Sequence, residues 1–78
     1  MSDKFPVISG KDLIKILEQI GFIEIRVKGS HHRLKHPDGR ITTVPVYGNT
    51  DLSKGLLRKT IREDIAITID EFNQLVNR

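Results

Sequence analysis

Cysteine and tryptophan are both missing from this 78-residue chain, and three phenylalanines and one tyrosine are all its aromatics. Without cysteine there is no disulfide framework and no thiolate metal site, and nothing argues for an exported, stapled domain. The four rings, Phe5, Phe22, Tyr47 and Phe72, are too few and too scattered for a base-stacking platform. Phe22 and Phe72 are expected in the core, which leaves Tyr47 as the exposed candidate for stacking or hydrogen bonding. No apolar run approaches the roughly 20 residues that a membrane helix needs. The opening Met1-Ser2-Asp3-Lys4-Phe5-Pro6 lacks the basic-then-apolar order of a signal peptide. The expectation is one domain over 1–78, cytoplasmic, with no membrane association and a length near the lower limit for an unstapled core.

Nor is there a large excess of one charge. Thirteen Lys+Arg against ten Asp+Glu give a net charge of +3, so the arrangement of the charges must decide whether a polyanion is a partner.

Ser9 followed by Asp12 is an N-cap with an acidic partner. Leu13, Ile14, Leu17 and Ile20 then recur at helical spacing up to Gly21, predicting an amphipathic helix over 11–20. From Phe22 the pattern changes to strict alternation, with Ile23, Ile25 and Val27 expected on the core face of a strand ending at Lys28. Gly29-Ser30 is a turn, His31 to His36 a second strand, Pro37-Asp38-Gly39-Arg40 a hairpin turn, and Ile41 to Val46 a third strand. Pro45 should end that strand or lie at a sheet edge. The loop 47–51 is expected to cap a helix over 52–63, striped by Leu52, Leu56, Leu57 and Ile61. Gly55 inside it costs about 1 kcal/mol relative to Ala, which implies a close approach or a later helix start. Thr68 with Glu71 forms a capping box for a short last helix. The fold class is α+β: an antiparallel three-stranded sheet covered by helices on one face, in the order α-β-β-β-α with a short extra C-terminal helix.

All three histidines fall between the two turns, in Gly29-Ser30-His31-His32-Arg33-Leu34-Lys35-His36. Strand alternation divides them. Leu34 should face the helices, taking His32 and His36 to the covered side or its rim, where packing or a hydrogen bond accounts for both. His31, Arg33 and Lys35 then face solvent, joined by Glu24, Arg26 and Lys28 from the first strand. Lys54, Arg58 and Arg62, at i, i+4 and i+8, form a second cationic stripe. Such a face can be simply solvated, or it can hold a phosphate backbone through salt-sensitive contacts. Three histidines on two faces, without cysteine or a nearby carboxylate, do not make a zinc site. Ser30 lacks an orienting acid for nucleophilic catalysis. A lone imidazole among cations suits RNA transesterification, with a base for the 2′-hydroxyl and cations to offset charge on the transition state.

These residues resemble the HicA toxins of bacterial toxin–antitoxin pairs. The similarity runs through Ser9-Gly10-Lys11-Asp12-Leu13-Ile14, Gly21-Phe22, Lys28-Gly29-Ser30-His31-His32, His36-Pro37-Asp38-Gly39, Val44-Pro45 and Lys54-Gly55-Leu56-Leu57-Arg58. The resemblance implies a fold like the double-stranded-RNA-binding domain, an mRNA interferase activity, and a neutralising HicB-like antitoxin that covers the site. It implies that His31, the histidine of Gly-Ser-His, is catalytic. Two departures stand out: Tyr47 where many relatives have histidine, and Leu56 where the helix usually has threonine. Loss of that second histidine gives no support to a two-histidine mechanism. The expectation is therefore a metal-independent, cofactor-free endoribonuclease acting on mRNA, with Lys28, Gly29, Ser30, Arg33 and Lys35 holding RNA and Lys54 and Arg58 as a further patch. The alternatives are a non-catalytic RNA-binding module on the same fold and a pure protein-interaction domain.

Overall fold

A computed structural model describes residues 5–77. The first helix, α1 (Gly10–Gln19), starts where Ser9 accepts a hydrogen bond from the Asp12 amide at 3.2 Å, a cap worth about 1 kcal/mol. Gly10 is buried against the third strand, and a Cβ there would run into the Pro45 carbonyl. Gly21 ends the helix at φ 109°, with the His36 ring occupying the space a side chain would need.

Three strands follow in the order β1-β2-β3, antiparallel throughout: β1 (Ile23–Lys28), β2 (His31–Lys35) and β3 (Ile41–Pro45). Pro45 closes β3, an edge strand, as expected. Leu34, Thr42 and Val44 are buried beneath the helices, while Arg33, Lys35, Ile41 and Thr43 are exposed on the opposite face. The core joins Leu34 and Val44 to Leu13, Leu17, Phe22, Leu57, Ile61, Ile65 and Phe72.

β1 departs from the alternation read in its sequence. Ile23, Ile25 and Val27 are not core residues: they are 60%, 51% and 51% exposed. Two features account for this. β1 is the outer edge of the sheet, beyond full cover by the helices, and its register shifts between Glu24 and Arg26, leaving Ile25 as a bulge. A bulge inverts the parity of everything after it. Ile23 therefore pairs with Lys35 on the open face, whereas Val27 pairs with His32 on the covered one. Glu24, expected outward, pairs with Leu34 on the helix side instead.

The second helix starts two residues later than expected. α2 (Lys54–Lys59) is capped by Ser53, which accepts from the Leu56 amide at 3.3 Å. Gly55 thus sits in the first turn, where its cost is small. The helix then widens into a π-helical segment, Thr60–Ile65, that ends at Ala66 in the left-handed conformation, φ 61°. The last helix, α3 (Ile69–Val76), carries the expected capping box: Thr68 accepts from the Glu71 amide at 3.0 Å, and the Glu71 carboxylate accepts from the Thr68 amide at 2.8 Å.

Candidate nucleic-acid interface

The register of the sheet sets the open face residue by residue. One rung carries Lys28, His31 and Pro45; the next Arg26, Arg33 and Thr43; the outermost Ile23, Lys35 and Ile41. Arg26, Lys28, Arg33 and Lys35 therefore stand around His31, all of them exposed. No ion pair within 4 Å joins these four cations to an acid among the described residues, so their charge is available to an external anion. Gly29 makes the β1–β2 turn at φ 59°, and the Ser30 carbonyl accepts from the Val46 amide at 2.7 Å. That bond ties the turn to the end of β3 and fixes the start of β2 on which His31 stands.

His31 opens into a cleft of about 550 Å³ that runs over the β3 edge toward the π-helical segment. Arg33, Tyr47, Lys59 and Asp64 share it. The Asp64 carboxylate is engaged by Thr42, whose hydroxyl donates to it at 2.9 Å. Tyr47 is 57% exposed, as the sequence suggested. Lys59 was not anticipated: a regular helix over 52–63 draws attention to the Lys54, Arg58, Arg62 stripe. That stripe leads elsewhere. Arg58 and Arg62 line another groove with Gly55 and Glu63, whose remaining wall is Lys59, shared with the His31 cleft, and the Arg58 guanidinium lies over the Phe5 ring at 5.0 Å. Neither Lys54 nor Arg58 lines the His31 cleft.

The other two histidines lie on the covered side. His36 packs edge-on against Phe22, with ring centroids 5.1 Å apart. Its Nε2 faces the Ile20 carbonyl at 2.9 Å and its Nδ1 the Asp38 amide at 3.1 Å. A carbonyl only accepts, so Nε2 carries a proton, and Nδ1 also lies 3.0 Å from the Asp38 carboxylate. His36 is a structural fastener. His32 is held differently: its Nδ1 bonds the Glu24 carboxylate at 2.6 Å. Among the described residues no group of three or more His, Asp or Glu side chains is placed to hold a metal ion, and no helix is long and apolar enough to cross a membrane.

No curated protein matches the chain. A family model does: that of the HicA toxin of bacterial toxin–antitoxin systems, over residues 10–64, from the first residue of α1 to the π-helical segment. That span covers most of the chain and includes the Gly-Ser-His turn, the whole sheet and the cleft, so the protein belongs to the HicA toxin family.

Proposed function

We propose that this chain is a metal-independent, cofactor-free endoribonuclease, an mRNA interferase acting in the cytoplasm, with His31 as its catalytic residue. The observation that carries this reading is the isolation of one exposed imidazole among four unpaired cations on the open sheet face, with a cleft beside it. A ring nitrogen of His31 takes the proton from a ribose 2′-hydroxyl, and the 2′-oxygen attacks the adjacent phosphorus. The P–O5′ bond breaks, the departing 5′-oxygen takes the proton from the His31 imidazolium, and a 2′,3′-cyclic phosphate remains on the upstream fragment. Lys28, Arg33 and Lys35 hold the phosphate and offset the charge that develops on it. Lys59 and Tyr47 line the same cleft, and the Gly29-Ser30 turn brings backbone close to the RNA. Lys54 and Arg58 bind RNA further along, outside the cleft. The natural partner is a HicB-like antitoxin that covers this face, as expected of a family defined by toxin–antitoxin pairs.

His31→Ala tests the assignment. Cleavage of single-stranded RNA should fall by at least about 100-fold, the lower range for a general acid–base residue. The thermal midpoint should stay nearly unchanged, because the side chain is exposed. Wild-type products should carry 2′,3′-cyclic phosphate and form in the presence of a chelator. A His31→Ala protein that still cleaves, or a strict need for divalent ion, overturns the mechanism.

A further inference from the structure

On the covered side of β2, directly behind His31, lies a second cleft of about 470 Å³, lined by Lys11, Lys15, Glu24, His32 and Asn49 among others. Ile14 and Val46 give it apolar walls, and charged side chains stand around them. Lys11 and Lys15 are one turn apart on α1 and both exposed, and like charges at i, i+4 destabilise a helix. Asp12 and Glu18 flank Lys15 on the same helix, yet no ion pair within 4 Å joins either lysine to an acid among the described residues. Glu24, the acid of this cleft, is occupied by His32 at 2.6 Å. A carboxylate accepts, so Nδ1 carries the proton and Nε2 is left as the free nitrogen of the ring. The result is two ammonium groups without an ion pair, one carboxylate turned to an oriented imidazole, and the Asn49 amide around one depression.

The two clefts are neighbours. Consecutive residues of one strand open into them, and the connection after β3 separates them: Pro45 and Tyr47 border the first, while Val46, Gly48 and Asn49 border the second. We propose that the Lys11–Lys15–His32 cleft is a second phosphate-binding subsite, holding a neighbouring phosphodiester of the same single-stranded RNA that His31 acts on. Glu24 fixes the His32 ring in the wall of this cleft, where it reports occupancy. This inference rests on the RNA-cleaving reading given above.

The test uses 2′-O-methyl oligonucleotides, which bind without offering a hydroxyl for cleavage. For single strands the affinity varies with salt with a slope of about −0.7 per phosphate contact, which makes each contact worth about fivefold at 0.1 M salt. The double variant Lys11→Gln/Lys15→Gln should therefore bind a dodecamer about fivefold more weakly, with a salt slope shallower by about 0.7. A dinucleoside monophosphate, whose single phosphodiester cannot fill both clefts, should change less than twofold. In the wild-type protein the NMR resonances of the His32 ring should shift with the dodecamer and not with the dinucleoside monophosphate. A double variant that binds the dodecamer within threefold of wild type, or a His32 ring unmoved by it, overturns the subsite and leaves the RNA-cleaving reading standing. A wild-type protein that binds neither oligonucleotide at low salt overturns both.

Discussion

Phe72→Ala probes the part of the chain that lies beyond the family match. α3 follows residue 64, where that match ends, and Phe72 is its fully buried residue, 0% exposed within the same core as Leu57, Ile61 and Ile65. Truncating such a ring removes its transfer free energy and leaves a cavity, together about 3–5 kcal/mol. A domain of this length has about 4–12 kcal/mol in all, so a quarter or more of its stability is at stake. The thermal midpoint should drop by at least about 12 °C. The loss has a functional consequence, because α3 backs the π-helical segment that supplies Thr60 and Asp64 to the His31 cleft. Urea unfolding of wild type and variant is the assay, with equal slopes and a lower midpoint expected. A loss below about 1 kcal/mol would show that α3 is an appendage and that the cleft wall stands without it.

Three further outcomes follow from individual contacts. The Arg40 guanidinium donates to the Ile65 carbonyl and to Asp38 Oδ2 and lies over the Phe22 ring at 5.3 Å, while the Arg40 backbone amide donates to Asp38 Oδ1. Arg40→Ala should cost about 1–3 kcal/mol in urea unfolding, and Arg40→Lys should recover little of it, since the planar fork is what reaches both partners. The same guanidinium holds the Asp38 carboxyl below its ordinary value of 3.8. A depressed carboxylate contributes stability that is complete above the unfolded value and is lost as pH falls through the folded one. Stability profiles of wild type and Asp38→Asn should therefore run parallel above pH 4 and converge below it; a wild-type advantage that persists at the lowest pH refutes this. Ala66 holds φ 61° at the end of the π-helical segment, so Ala66→Gly should raise stability by a few tenths to about 1 kcal/mol rather than lower it.

Much of the fold was legible in the sequence because its signals are local. Ser9 and Thr68 cap the helices that follow them, Gly21 and the Pro37–Arg40 turn stop their elements, and Leu34 alone orients β2. β1 was misread because alternation records periodicity and says nothing of which strand ends at the sheet edge. Ile23, Ile25 and Val27 spell a core face, yet a bulge at Ile25 and the lack of a further strand leave all three exposed. The widening of α2 into π-helical turns leaves no mark in the apolar spacing either, since Leu57 and Ile61 are buried in a regular and in a widened helix alike.

The candidate site divides along the same line. Strand parity on β2 is protected by pairing on both sides, so it places His31 with Arg33 and Lys35 and sends His32 and His36 behind the sheet. On β1 the bulge decides, and it decides in favour of the cationic face: Arg26 and Lys28 are brought opposite Arg33 and His31, while Glu24 goes to the other side. With an unbroken alternation through Ile25, a strand pairing Lys28 with His31 would put Glu24 on that same open face, beside the cations. The bulge therefore removes the one acid of β1 from the open face and delivers it to His32. For a surface that has to receive a polyanion, one extra residue in an edge strand accomplishes what a charge substitution would otherwise have to do.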